Sequence, residues 1–217
     1  LRSEKKWILE HSFLRLGYTK SASNKHAFSA SIRIVCYKEL DMSNQNEGSL
    51  RILKHGEVTL AKRVFGDTIE YHKVWIHHGS FFPFELQDDE TAMSPNGELY
   101  FRYWYRDDFS CEGLSLQNLF IHEMSHVWQR NRGMNILLRG LASRFVSYRY
   151  RLDGRLLRCY PMEQQAQIIA DYFILKTYGY RAWIALLARG DVKMDGDIAE
   201  AVIGAKYKQT MRGFPWS

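Results

Sequence analysis

A chain of 217 residues that is 46% hydrophobic, 14% aromatic and 25% charged carries enough apolar material for a core of its own, which excludes a disordered linker. Three widely spaced cysteines, Cys36, Cys111 and Cys159, exclude a disulfide scaffold and a CxxC zinc ribbon. No apolar run reaches the roughly 18 residues of a membrane span, and the formal charge of +6 leaves anionic partners open.

Residues 1–50 read as an N-terminal extension or extra layer, and 51–217 as one domain. The chain opens on Leu1 rather than Met, as a trimmed or processed fragment would, and Leu1–Lys6 does not resemble a signal peptide. A helical stretch at Trp7–Leu16 is followed by polar punctuation at 19–25, then a strand-like run at Ser31–Tyr37 and the loop Asp41–Gly48. Within Glu57–Phe65 the apolar residues Val58, Leu60, Ala61, Val64 and Phe65 share a helical face, and Gly66 stands where a C-terminal cap belongs. Val74 and Ile76 alternate in a short strand at His72–His77.

The run Ser94-Pro95-Asn96-Gly97 is a turn signal, and Glu98–Tyr105 reads as a strand with an aromatic face. Ser115 then offers an N-cap to an amphipathic helix bearing Leu116, Leu119, Phe120 and Val127 and stopping at Gly133. Pro161 fits the first position of a helix that runs to Gly179. Two more helices follow, near 180–189 and 196–211. Mixed elements first and helices afterwards make an α+β pattern.

The chemistry concentrates at His122-Glu123-Met124-Ser125-His126, an HExxH motif. Histidines four apart on a helix lie about 40° apart and roughly 6 Å along the axis, so both imidazoles reach one ion. Glu123, turned about 100° away, is placed to act as a general base on a water activated by the metal. This composition yields such a match by chance about 0.02 times. A catalytic zinc takes three protein ligands and an open position, yet no histidine follows His126. Position 132 is Arg132, which excludes the HExxHxxGxxH arrangement. Cys159 is one candidate for the third ligand and Glu163 the better one, because the first turn of a helix favours an ionised carboxylate. Asp171, two turns on, reads either as a residue orienting a ligand imidazole or as a solvated acid. Tyr148, Tyr150 and Tyr160 are the candidates for stabilising an oxyanion, and spacing does not choose among them.

The runs Arg63-Val-Phe-Gly-Asp67, Val74-Trp-Ile-His77 and Ser94–Phe101 lead into Leu119–Gln129. Together with Tyr160–Phe173 they resemble the zincin-type metallopeptidase domains of bacterial polymorphic toxins. Those domains are Rhs- and Vgr-associated cargo of type VI secretion and related contractile injection systems. The resemblance spans roughly 57–178 and rests on the HExxH-Val-Trp-Gln and Glu-Gln-Gln-Ala blocks. It implies a zincin fold, a small mixed sheet packed on the HExxH helix, with Glu98–Tyr105 as an edge strand able to hold a substrate peptide. It also implies His122, His126 and Glu163 as ligands of one catalytic Zn2+, with Glu123 as the base. Zincins with a glutamate third ligand often carry an acid four residues later. Gln167 stands there instead, which weakens the orienting role for Asp171.

The leading expectation is a zinc-dependent endopeptidase acting on a protein or peptide substrate. The resemblance adds a bacterial effector, made in the cytoplasm and secreted or injected without a classical signal peptide. It adds also a secretion-apparatus carrier and an immunity protein as partners. A second expectation starts from Arg130–Arg158, which holds eight arginines against the single acid Asp153. Such a segment would suit a nucleic-acid-associated metalloprotease or binder, although no nucleic-acid motif accompanies it. The third is an inactive zincin scaffold, which would have no need of Glu123.

Overall fold

The computed structural model describes residues 48–81, 92–135 and 147–216, all within the unit Ser43–Ser217. The helix expected at Trp7–Leu16 and the strand at Ser31–Tyr37 lie outside the described residues. Three short strands, β1 (Leu50–Ile52), β2 (Trp75–His78) and β3 (Leu99–Phe101), form a sheet in the order β1-β2-β3. β1 runs antiparallel to β2, and β3 parallel to it with Ile76 opposite Leu99. Strands this short depend on what they pack against, and Ile76, Leu99 and Phe101 are fully buried.

Two strand expectations change. Residues Tyr71–Lys73 form a 3-10 turn, so β2 starts only at Trp75. β3 ends at Phe101 instead of running to Tyr105. Leu99, Tyr100 and Phe101 are all buried, so no solvent face alternates with a core face. Beyond them the chain turns, with Tyr105 N donating to Arg102 O, and Tyr103 is 55% exposed. The outer edge of β3 is taken at Tyr100 by the chain itself. Met93 N donates to Tyr100 O at 3.0 Å, and Tyr100 N to Met93 O at 2.8 Å. The turn at 94–97 folds Met93 back onto the position expected for a substrate strand.

Helix α1 (His55–Phe65) ends at Gly66, whose φ of 56° is the left-handed conformation that glycine adopts without strain. At its other end the buried Glu57 accepts from Lys54 N and Phe109 N and holds both terminal guanidinium nitrogens of Arg51 at 2.8 Å. Removing one partner of a buried pair of this kind costs about 3–5 kcal/mol.

The site is carried by α2 (Leu114–Asn131) and α3 (Met162–Arg189), which pack together; α4 (Glu200–Thr210) is the last described helix. α2 starts behind Gly113, and Ser115, the expected cap, donates instead to Asp191 at 2.9 Å. An amphipathic helix was expected here, but every residue from Phe120 to Gln129 is buried. One face presses Phe120, Ile121, Met124 and Val127 into the core, each contributing roughly 1.5–3 kcal/mol. The other face carries His122, Glu123 and His126, also buried. α3 begins behind Pro161, which is its cap rather than its first residue, and Gly179 (φ 84°, ψ 176°) breaks it where the sequence predicts a stop. A small mixed sheet followed by helices is the α+β arrangement expected. No described helix is long and apolar enough to cross a membrane.

Candidate metal centre

His122 and His126 stand one turn apart on α2, 6% and 5% exposed, with ring centroids 5.0 Å apart. Glu163 enters from the first turn of α3. Its Oε2 lies 3.5 Å from His122 Nε2 and 3.2 Å from His126 Nε2. A core position for three ionisable groups is costly unless each has a partner. Burial would raise the Glu163 carboxyl, yet the histidine charge beside it holds it well below the usual carboxylate range. Burial likewise would lower His126, but the Glu163 carboxylate outweighs it and lifts the imidazole to about 9. In the metal-free protein the two form an ion pair.

The tautomer of His126 follows from its neighbours. Gln129 Nε2 donates to Met162 O at 2.9 Å and to Gln165 Oε1 at 3.3 Å, and Gln165 Nε2 donates to Tyr160 O at 2.7 Å. Gln129 Oε1 is therefore the atom 2.8 Å from His126 Nδ1, and it accepts that ring proton. Nε2 is left to face Glu163 and can serve as a ligand once deprotonated. Two imidazole nitrogens and a carboxylate oxygen, one of them oriented through its second nitrogen, form a donor set that fits zinc. Gln129 was not singled out in the sequence, although its position three residues past His126 was available as a signal.

Glu123 is 4% exposed, and one of its oxygens lies within 4.8 Å of ligand atoms on both histidines. Its Oε2 accepts a hydrogen bond from Ser94 Oγ at 2.8 Å. Ser94 is another residue that sequence reasoning passed over except as part of a turn. The Met93–Tyr100 pairing seats it against α2.

Of the three tyrosine candidates only Tyr148 lies against the centre, its ring 5.8 Å from that of His122. Although Tyr148 is 45% exposed, the partial burial of its phenol and then the Glu163 and Glu123 carboxylates push it upward, so it remains a donor at neutral pH. Tyr150 is turned into the core, donating to Asp171 at 2.8 Å and bonded to the Tyr207 hydroxyl. The Tyr160 hydroxyl has its one proton between Arg151 O at 2.8 Å and Asp153 Oδ1 at 3.1 Å.

Asp171 is neither a solvated acid nor bonded to a histidine. Fully buried, it accepts from Asn118 Nδ2, Gln167 Nε2, Tyr150 and Lys193 N, which fill its oxygens and tie α2 and α3 to the segment that follows. Gln167, standing where the resembled zincins often carry an acid, is one of those donors. Cys159 is exposed and belongs to no metal-ligating group among the described residues. In the basic segment Arg149 pairs with Asp195, Arg155 with Asp153, and Arg132 lies over Trp128. Arg139 and Arg144 lie outside the described residues.

No family profile matches the chain. Over 135 residues, 58% of its length, it is 44% identical to the type VI secretion system spike protein VgrG2b of Pseudomonas aeruginosa. The matched part is 13% of that protein's length, so the chain corresponds to a small fraction of the spike protein. Among solved structures, the effector domain of Pseudomonas aeruginosa VgrG2b is 37% identical with a TM-score of 0.55, the match covering 71% of this chain and 89% of that one.

Proposed function

The chain belongs to the family of the VgrG2b effector domain, and from that premise we propose that it is a bacterial effector domain with zinc-dependent endopeptidase activity. Its fold would then be a zincin, and a type VI secretion spike its carrier. The observation that carries the chemistry is Glu163 Oε2 from α3 meeting the Nε2 atoms of both α2 histidines.

His122, His126 and Glu163 would hold the ion. When bound, zinc supplies a Lewis acid that polarises the scissile carbonyl and makes water acidic enough to attack near neutral pH. Glu123 takes the proton of the attacking water on a carboxylate oxygen and delivers it to the leaving amine nitrogen. Tyr148 keeps its hydroxyl proton at neutral pH and can donate it as a hydrogen bond to the carbonyl oxygen as negative charge develops. Gln129 holds His126 with Nε2 forward, and the buried surroundings exclude bulk water from the carboxylates. Because Met93 occupies the β3 edge at Tyr100, substrate strand addition there would require Met93 to be displaced.

The test is expression of the wild type and a Glu123→Gln variant in bacteria, with cleavage of denatured casein by the purified proteins. Growth arrest and cleavage by the wild type, both lost in Glu123→Gln while zinc is retained, are the expected result. Equal activity of the two removes Glu123 from the chemistry.

A further inference from the structure

Two carboxylates lie within reach of the imidazole pair. Glu163 Oε2 is 3.5 and 3.2 Å from the two Nε2 atoms, and Glu123 also offers an oxygen within 4.8 Å of a ligand atom on each histidine. Carboxylate and imidazole are both ordinary zinc donors, so nearness alone does not say which glutamate ligates. The distinction matters chemically. A carboxylate whose lone pairs are engaged by a cation is a poor proton acceptor, and as a further ligand beside water it raises the coordination number.

The hydrogen bonding of the two glutamates differs. Glu163 Oε2 faces only the imidazole nitrogens among the described residues, whereas Glu123 Oε2 is held by Ser94 Oγ at 2.8 Å. Ser94 is 3% exposed and comes from outside both ligand helices, 29 residues upstream of Glu123. The two hydrogen bonds between Met93 and Tyr100 fix its backbone neighbour to β3, so the hydroxyl cannot follow Glu123 if it swings. A serine hydroxyl has one proton to give, and here it goes to the carboxylate.

We propose that Ser94 is a positioning residue that keeps Glu123 out of the coordination sphere, leaving Glu163 as the third ligand and the second oxygen of Glu123 as the proton acceptor. The inference rests on the zinc reading above and deepens it. Removing the hydroxyl frees Glu123 to rotate toward the ion. The metal then gains a ligand and the reaction loses its base, although neither glutamate has been altered.

Cobalt(II) substitution reads this without any substrate, because its visible absorption weakens as coordination rises above four. The full chain is loaded with cobalt as wild type, Ser94→Ala and the double variant Ser94→Ala/Glu123→Gln, and the zinc forms are assayed on denatured casein. Ser94→Ala should bind metal, show a weakened cobalt spectrum, and lose about 30-fold in kcat with KM within about twofold. The double variant should regain the wild-type cobalt spectrum while staying inactive. Should the alanine variant not fold, Ser94→Cys, nearly the same size but only a weak donor, should give the same spectral change. A Ser94→Ala spectrum identical to wild type overturns the proposal whether or not kcat falls, because a loss of rate with unchanged coordination makes Ser94 a packing residue. A wild type that binds neither cobalt nor zinc overturns the zinc reading itself. That result is distinguishable from a failure confined to Ser94.

Discussion

Gln129 Oε1 accepts the Nδ1 proton of His126 at 2.8 Å, while its own amide is anchored to Met162 O at the start of α3. One side chain thus sets the tautomer of a proposed ligand and links the two helices that carry the candidate donors. Replacing it with alanine should lower zinc affinity about 10–100-fold. Competition with a chromophoric chelator measures this, and an unchanged affinity would show that the tautomer is held by other means.

The His126–Glu163 pair ties the stability of the metal-free protein, and the binding of the proposed zinc, to pH. His126 lies at about 9, above its ordinary 6.5. Its contribution to metal-free stability is therefore complete below about 6.5 and is lost as pH rises through about 9. The lowered Glu163 works in the opposite sense, present above its ordinary value of 4.5 and lost as pH falls well below it. The pair accordingly stabilises the metal-free protein between those limits. Zinc requires neutral His126, so binding at pH 7 should release about one proton from this residue. Calorimetry in buffers of different ionisation enthalpy reads the number released.

Asp171 should prove structural. Asp171→Ala removes the shared acceptor of four donors, of which Asn118 Nδ2 and Lys193 N have no other partner among the described residues, and is expected to cost about 3–5 kcal/mol, seen as a large fall in Tm with zinc stoichiometry kept in whatever folds. Burial raises its carboxyl to about 6 from 3.8, against the hydrogen bonds that pull it down. The folded state therefore holds this proton more tightly than the unfolded state does. Its contribution to stability declines as pH rises from about 4 through 6. In Asp171→Asn that part of the pH dependence should vanish, which urea titrations at several pH values would show.

Much of the centre was legible in the sequence because its parts are local. His122, Glu123 and His126 share one helix, so their spacing alone brings them together, and Glu163 stood out as a first-turn acid where no other histidine remained. What was not legible depends on distant segments. Ser94 reaches Glu123 only because Met93 pairs with Tyr100, and neither end of that contact carries a spacing signal. Asp171 was read on a solvated face or beside a histidine because polar residues on a helix were assigned to water or to the metal. α2 and α3 bury their polar faces against each other, and its oxygens were filled there. Glu98–Tyr105 misled for a related reason. Alternating aromatics suggested a long strand, but the residues of β3 are covered on both faces and the chain turns away after Phe101.

Tyr148 should act on the transition state alone. Tyr148→Phe keeps the ring against His122 and removes the hydroxyl, so kcat is expected to fall roughly 10²-fold with zinc content unchanged. Tyr150→Phe and Tyr160→Phe, whose hydroxyls are engaged elsewhere, should change stability more than rate. Steady-state kinetics on casein for the three variants separates these roles.

The proposed chemistry depends on one zinc held jointly by α2 and α3. Metal analysis of the purified protein, wild type beside His126→Ala and Glu163→Ala, tests it most directly. About one zinc per chain is expected in the wild type, with loss of tight binding in both variants. Wild-type protein without stoichiometric zinc after dialysis against the metal, or full occupancy in Glu163→Ala, would contradict it.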